Sequence, residues 1–284
     1  MGRSRIRRPA AAALLAVLGA LWALALPGGT QASEARLRAH QLADPEVDPV
    51  DLEAEVRFGR ELAARILGRY PLDPDPDLNR YVNLVGSAVA VYGPRSEIAY
   101  HFGVLASDRV NAYAAPGGYV FLTRGALAHM ADEGELAAVL AHEIGHIDRR
   151  HIVEELHIRG SDAGAAAGLA RLLGGVGDSA GVAFSQSVGA ALEILFERGY
   201  RIEDEYEADA HAVELLVAAG YDPGALARYL ERIRPLTEEG AALATHPPSA
   251  ERVRRLRDRT AGANLRIPSA ELLRRRFAEH LPRP

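Results

Sequence analysis

The feature that most constrains the fold is a pair of histidines four residues apart, His142 and His146, within a helical pattern. Asp132 followed by Glu135 is an N-terminal capping pattern, and apolar residues at helical spacing extend the helix to about residue 157. Residues four apart lie on one helix face, so both imidazoles can face a single metal ion. Glu143 projects beside them as a candidate proton acceptor for an activated water.

Composition limits what else can hold such an ion. The chain has no cysteine, which excludes disulfides, thiolate nucleophiles and Cys-ligated zinc, so His and carboxylates must supply the ligands. The HExxH string alone does not establish a metal site, because a chain of this kind matches it by chance in roughly a few per cent of cases. Its place in a capped, periodic helix strengthens the interpretation.

The first 32 residues are predicted to be a cleaved signal peptide. Four arginines precede an apolar run, and small residues stand where a signal peptidase needs them. The apolar run is shorter than the ~20 residues that span a bilayer, although an uncleaved membrane anchor is the alternative. Cleavage removes four of the 33 basic residues and none of the 38 acidic ones, which lowers the formal net charge from −5 to −9. We therefore expect an exported, periplasmic protein that does not bind nucleic acid.

The rest of the chain is predicted to form one α+β domain. Residues 33–49 are a polar segment, residues 50–262 the domain, and residues 263–284 an arginine-rich helical tail with a solvated face. Short β-prone runs between Ile98 and Thr123 predict a small antiparallel sheet among helices. Residues 160–190, rich in Gly and Ala, predict either two close-packed helices or a mobile connection.

The third metal ligand is not obvious from spacing. In the compact motif that continues to a third histidine, Arg149 and Ile152 occupy the Gly and His positions. His151 lies one residue before the position that the third histidine of this motif would occupy, and it is interpreted as a solvated helix residue. Interior Gly145 indicates that another backbone packs closely, which would let a distant helix supply the ligand. The acidic run at residues 203–209 is a candidate, although such runs are usually solvated faces.

Several motifs in a fixed order resemble those of the M48 metallopeptidase family, above all its soluble, exported bacterial branch. The motifs are His142-Glu143-Ile144-Gly145-His146, Glu205-Tyr206-Glu207-Ala208-Asp209, the run from Val110 to Gly118, Gly220-Tyr221-Asp222-Pro223 and Thr245-His246-Pro247-Pro248. The resemblance extends from about residue 50 to residue 260 and implies a mostly helical, zincin-like metallopeptidase domain. It further implies that His142, His146 and Glu205 bind one Zn²⁺ ion per chain, with Glu143 as general base.

The resemblance also suggests roles around these ligands. It implies that Asp209 hydrogen-bonds a ligand histidine and orients its ring. His246 matches a histidine that is either a fourth ligand holding the enzyme inactive or a stabiliser near the reacting carbonyl; a loop histidine without metal contact is an equally weighted alternative. Arg252 is a weaker candidate for stabilising the oxyanion, and a salt bridge is the favoured interpretation.

The residues Asn111, Ala112, Tyr113 and Ala114 are predicted to form an edge strand beside the metal helix. An extended peptide substrate can bind such an edge through its main chain, although an ordinary core strand is the alternative. The implied function is a zinc endopeptidase acting on unfolded or misassembled envelope proteins. The competing hypotheses are a chaperone-like binding protein with a structural or plugged zinc site, and an enzyme that only trims chain ends. Peripheral association with the envelope membrane stays open, and no oligomeric state is predicted.

Overall fold

The computed structural model describes residues 49–156, 178–238, 245–247, 249–262 and 267–281. The predicted signal peptide and the polar segment through residue 48 lie outside the described residues, as do residues 160–177 of the Gly- and Ala-rich stretch. Within the described ranges, no helix is both long enough and apolar enough to cross a bilayer.

Helices dominate the chain and flank a small sheet. In chain order the elements are α1 (Pro49–Arg69), α2 (Pro76–Ala90), β1 (His101–Leu105), β2 (Ala112–Ala115), β3 (Tyr119–Thr123), α3 (Arg124–Ala128), α4 (Glu133–Asp148), α5 (His151–Glu155), α6 (Asp178–Glu193), a π-helical turn (Ile194–Arg198), α7 (Ile202–Ala219), α8 (Ala225–Glu238), α9 (Ala250–Thr260) and α10 (Ala270–His280). This confirms the predicted α+β class.

The sheet is mixed rather than antiparallel as predicted. Its strand order is β1-β3-β2. The turn at Pro116-Gly117-Gly118 joins β2 to β3 as an antiparallel pair, and Gly117 and Gly118 adopt φ values of 73° and 100°, which favour glycine. β1 pairs with β3 in parallel. The turn residues specify only the local hairpin, so they carried no information on the direction of β1.

Helix α4 runs through the main core. Asp132 accepts a hydrogen bond from the backbone N–H of Glu135 at 3.0 Å, which confirms the predicted cap. Every residue from Glu133 to Ile147 is buried. The polar side chains of a helix that is enclosed on all sides must find hydrogen-bond partners within the protein or in a bound ligand. This requirement applies to the acidic residues near both ends of α4.

The close approach predicted at Gly145 is present, and α7 is the partner. A Cβ atom placed on Gly145 would lie 3.1 Å from Cα and the carbonyl oxygen of Ala208. Glu205 and Asp209 stand on the same stretch of α7 as Ala208. The absence of a side chain at Gly145 therefore brings both carboxylates to the histidines of α4.

The arginine-rich C-terminal helix packs on the same core. Leu273 and Phe277 of α10 join the cluster that contains the apolar residues of α4. Arg274 and Arg275 are exposed, whereas the half-exposed Arg276 places Nε 3.0 Å from Oε2 of buried Glu133. The tail thus contributes to the fold through one face of its helix.

Candidate metal centre

Two helices supply the centre of the site. His142 and His146 of α4 point toward Glu205 of α7, and the two imidazole Nε2 atoms are 3.1 Å apart. Glu205 Oε2 lies 3.5 Å from His142 Nε2, and its Oε1 lies 3.4 Å from His146 Nε2. All three side chains are buried. The structure therefore brings together the residues for which the resemblance implied a ligand set.

His246 joins this group from the segment at residues 245–247. Its Nδ1 is 2.9 Å from Glu205 Oε1, and its Nε2 is 3.9 Å from Glu143 Oε1. One donor atom from each of His142, His146, Glu205 and His246 can be chosen so that all four lie within 4.8 Å of one another. The side chain of His246 is buried and faces the carboxylates of Glu205 and Glu143.

The chemistry of these donors fits a zinc ion. Imidazole nitrogens and carboxylate oxygens are its common ligands. A zinc–nitrogen bond is about 2.0–2.1 Å long, so one ion can bind both Nε2 atoms of His142 and His146, which are 3.1 Å apart. Glu205 Oε2 approaches Arg252 Nη1 to 2.5 Å but lacks hydrogen-bond alignment, and Glu143 Oε2 has no hydrogen-bond partner. Buried carboxylate oxygens without a hydrogen bond are rare and costly, which is expected where a ligand completes the site.

Asp209 and Arg252 surround the ligands from behind. Asp209 Oδ1 lies 3.0 Å from His142 Nδ1, the ring nitrogen away from the centre, although the two are not aligned as a hydrogen bond. Arg252, from α9, is fully buried and donates from Nε and Nη2 to the two oxygens of Asp209 at 2.9 and 2.7 Å. This bidentate salt bridge is the contact that the sequence favoured for Arg252 over an oxyanion role.

Burial and charge set the protonation of the site. Burial raises the pKa of Glu143. Burial also works against ionisation of Glu205, but the charges of Arg252 and His246 and the contacts with the two ligand histidines together outweigh it and hold the pKa of Glu205 well below its usual range. For His142, the contacts with Asp209 and Glu205 overcome burial and raise the pKa to about 9, whereas burial lowers the pKa of His146 well below its usual value. Without a metal, the two histidines thus differ in charge.

Sequence reasoning missed two neighbours of His146. His151 is buried rather than solvated, and its Nδ1 lies 2.8 Å from Nδ1 of His146. The helix breaks before His151, and this break turns its ring back toward the site. Tyr200 stacks on the His146 ring with centroids 3.9 Å apart. Neither residue carried a motif signal, because their proximity depends on backbone turns between the elements.

The predicted substrate strand lies beside the site. β2 is at the edge of the sheet and its residues are buried, but the strand spans Ala112–Ala115, so Asn111 of the predicted strand precedes it. Asn111 Oδ1 accepts a hydrogen bond from Thr245 Oγ1 at 3.2 Å, and Tyr200 donates its hydroxyl to the Ala114 carbonyl at 3.4 Å. The ring of Tyr113 packs in a second core cluster. The edge is therefore partly covered in this conformation.

Known proteins with similar sequences agree with this geometry. The model of Peptidase family M48 matches residues 76–260. The beta-barrel assembly-enhancing protease of Escherichia coli K12 is 29% identical over 205 residues, which cover 68% of this chain and 41% of that protein. Metalloprotease LoiP of the same organism is 31% identical over 155 residues, covering 53% of this chain and 59% of LoiP. The mitochondrial metalloendopeptidase OMA1 of Schizosaccharomyces pombe is 28% identical over 207 residues, covering 70% of this chain and 59% of OMA1.

The match to the family model covers the elements that build the metal centre, from α2 through α9. The curated relatives that are assembly-enhancing proteases are longer, and the chain spans about two fifths of their length. Because the family model matches more than half of the chain and includes every candidate ligand, the chain belongs to peptidase family M48.

Proposed function

We propose that this chain is a zinc-dependent endopeptidase that cleaves unfolded or misassembled proteins of the bacterial envelope. The observation that carries the proposal is the cluster of buried donors from His142, His146, Glu205 and His246, directly beside Glu143. Membership of a metallopeptidase family supports hydrolysis of peptide bonds. Internal cleavage is supported by the site's position beside a sheet edge, where a chain can bind along its length.

Each residue of the centre has a task in this proposal. His142, His146 and Glu205 hold the zinc ion, which when bound polarises the substrate carbonyl and lowers the pKa of water. Glu143 accepts the proton of the attacking water at Oε2, the oxygen that has no hydrogen-bond partner. It then gives that proton to the departing amine. The raised pKa of Glu143 makes it a better base for this transfer.

The residues around the ligands hold their orientation. Arg252 fixes Asp209 through two hydrogen bonds, and Asp209 in turn faces Nδ1 of His142. A carboxylate at this nitrogen keeps the opposite nitrogen available for the metal and strengthens it as a donor. Arg252 thereby acts on His142 through Asp209 and also contacts Glu205 directly, and its full burial restricts its motion.

In the proposal, His246 closes the site before substrate arrives. Its Nδ1 lies 2.9 Å from Oε1 of the candidate ligand Glu205, and this proximity supports a role as fourth ligand. We expect His246→Ala to raise the rate of cleavage of an unfolded substrate, because the imidazole would no longer compete with water and the substrate carbonyl for the metal site. A loss of activity in this variant would instead assign His246 to stabilising the reacting carbonyl.

Substrate binding is proposed at the edge of β2 that does not pair with β3, which Tyr200 partly covers. A peptide in extended conformation would pair with the main chain of Asn111 to Ala114, which selects backbone rather than side-chain sequence. The Tyr200 hydroxyl contacts the Ala114 carbonyl and must leave it for this pairing to form. This mode of binding suits unfolded proteins of varied sequence.

The cellular setting rests on two supports. The N-terminal 32 residues have the pattern of a signal peptide, and relatives are named for enhancing β-barrel assembly. We infer export to the periplasm and a role in protein quality control there. Peripheral contact with the envelope membrane would bring the enzyme near its substrates.

Casein cleavage by the purified chain, without its predicted signal peptide, tests the proposal. We expect Glu143→Gln to lower kcat/KM by about 10²–10⁴-fold, the usual contribution of a general base, and chelation to abolish cleavage. Mass spectra of the products distinguish internal cuts from end trimming. Full activity in Glu143→Gln or without metal would reject the mechanism. If no product forms under any condition while the chain still suppresses aggregation, the chaperone-like alternative replaces it.

Metal analysis tests the ligand set separately from activity. Wild-type protein should carry one zinc ion per chain, and both His146→Ala and Glu205→Ala should lose it. Glu203→Ala is the matched control, because Glu203 is an exposed acidic residue in the first turn of the same helix, two residues before Glu205. Retention of zinc in Glu205→Ala would remove α7 from the ligand set.

A further inference from the structure

His151 occupies a position that the proposed reaction does not use. It is the first residue of α5, and its ring is buried beside the rear of the metal centre. Its Nδ1 lies 2.8 Å from Nδ1 of His146, and its Nε2 lies 3.7 Å from Oε2 of Glu207. His151 therefore contacts the His146 ring on the side opposite Nε2, which faces the other candidate ligands.

A strained backbone produces this contact. Arg150 adopts φ 56° and ψ 32°, and it is the one non-glycine residue with positive φ in the described part of the chain. This left-handed conformation is unfavourable for an L-residue, because Cβ comes too close to the following carbonyl oxygen. In an unbroken helix, side chains five residues apart point about 140° away from each other, so His151 would face away from His146. The break at Arg150 returns the His151 ring to it.

Hydrogen-bond chemistry then fixes the tautomers. His146 presents Nε2 to the centre, 3.4 Å from Glu205 Oε1, so its proton must reside on Nδ1 when Nε2 binds a metal. Nδ1–H of His146 can then donate to His151 only if Nδ1 of His151 is unprotonated. His151 must carry its own proton on Nε2, the atom nearest Glu207. With this assignment, the proton of His146 faces His151, and the proton of His151 is on the side of Glu207, whose Oε2 is beyond hydrogen-bond distance.

The two histidines of α4 therefore have partners of different charge. His142 has the buried carboxylate of Asp209 at its Nδ1, which Arg252 holds in place. His146 has a neutral imidazole, backed by a carboxylate whose side chain is 62% exposed. An acceptor at the rear nitrogen fixes ring orientation and donor strength in both cases.

We infer that His151 is a positioning residue that holds His146 in the tautomer and ring orientation needed to bind zinc. This inference rests on the proposed zinc site, because it assigns His151 a role through a ligand of that site. The role is distinct from catalysis, since the described polar contacts of His151 are with the rear nitrogen of His146 and with Glu207.

The test compares two near-isosteric replacements. In His151→Asn, Oδ1 takes the place of the ring Nδ1 and still accepts a hydrogen bond, whereas His151→Leu has a similar shape without an acceptor. Zinc dissociation constants, measured by competition with a chromophoric chelator on the chain without its predicted signal peptide, should rise by about 10–100-fold in His151→Leu. His151→Asn should recover most of the affinity. The visible spectrum of bound Co²⁺ should change in His151→Leu and return toward wild type in His151→Asn.

Controls separate this inference from the zinc site itself. If wild type binds no zinc, or His146→Ala binds it as well as wild type does, the proposed function fails. If His146→Ala loses zinc but His151→Leu keeps wild-type affinity, only the inference fails, and it also fails if His151→Asn binds no better than His151→Leu. Circular dichroism of the metal-free proteins checks folding, with His151→Ala replacing His151→Leu if the latter does not fold. If neither folds while His151→Asn does, His151 serves the fold and the inference is overturned.

Discussion

Two of the buried acidic side chains of helix α4, Glu133 and Glu143, differ in how well their oxygens are satisfied. Near its start, Glu133 accepts hydrogen bonds from the hydroxyls of Tyr81 and Tyr221, both at 2.9 Å, and pairs with Arg276 at 3.0 Å. We call these four residues the Glu133 cluster. About three turns later, Glu143 has one oxygen with no hydrogen-bond partner, although its side chain is equally enclosed.

The contrast indicates that the Glu133 cluster stabilises the fold, whereas the surroundings of Glu143 are arranged for binding and chemistry. A buried polar atom without a partner costs about 1–3 kcal/mol, whereas a satisfied charged group contributes to the fold. The Glu133 cluster joins α2, α4, α10 and the turn after α7 into one core. The metal centre instead has buried carboxylate oxygens without hydrogen bonds on Glu143 and Glu205, as expected where a ligand completes the site.

The largest stability effect is expected from Glu133→Gln. The amide keeps the shape of the side chain but loses the charge and directs N–H donors at hydroxyl donors. We expect the free energy of unfolding to fall by about 2–3 kcal/mol. Urea denaturation of the metal-free protein measures it, and the exposed Glu279→Gln of α10 is the control. The folded variant should keep wild-type kcat/KM. An unchanged urea midpoint would mean that the Glu133 cluster does not stabilise the chain.

The two clusters also differ in how far sequence could predict them. The spacing of His142, Glu143 and His146 predicted one helix face and its chemistry, because helical geometry relates residues four apart directly. Glu205 came only from the family resemblance, since an acidic run by itself indicates a solvated face. Nothing predicted the Glu133 cluster, because Tyr81 and Tyr221 reach it from elements distant in sequence.

Other differences have local physical causes. His151 was interpreted as solvated because a continuous helix would turn it outward, and the left-handed Arg150 that reverses it is not a residue that favours that conformation. The direction of β1 depended on its pairing across the sheet, whereas the glycine turn determined only β2 and β3. Periodicity and caps are local signals, so they predicted α4 and its start well.

A smaller effect is expected from Arg276→Gln. Its guanidinium is half-exposed, so water screens the pair with Glu133, and both tyrosine hydroxyls still donate to the carboxylate. We expect a loss of about 1 kcal/mol or less by the same urea assay. Arg274→Gln is the matched control, because Arg274 is an exposed neighbour that pairs only with Glu271 on its own helix. If Arg276→Gln destabilises the protein as much as Glu133→Gln, the ion pair rather than the tyrosines dominates.

The smallest change in stability is expected from Glu143→Gln, despite the burial of the side chain. Glu143 has no hydrogen bond at Oε2 to lose, and the neutral amide avoids burying a charge. In metal-free protein, the free energy of unfolding should stay within about 1 kcal/mol of wild type, with any shift toward higher stability.

Wild type and Glu143→Gln should differ in how their free energies of unfolding depend on pH. Burial raises the pKa of Glu143 in the folded state, so the folded protein holds this proton more tightly than the unfolded chain does. Wild-type stability should therefore fall, relative to Glu143→Gln, as pH rises from the unfolded pKa of about 4.3 through the higher folded one, and the difference should then stay constant. Unfolding in urea at several pH values, with chelator present, measures this difference. A Glu143→Gln variant destabilised as strongly as Glu133→Gln would show that Glu143 also holds the fold together, and the contrast between the two ends of α4 would be lost.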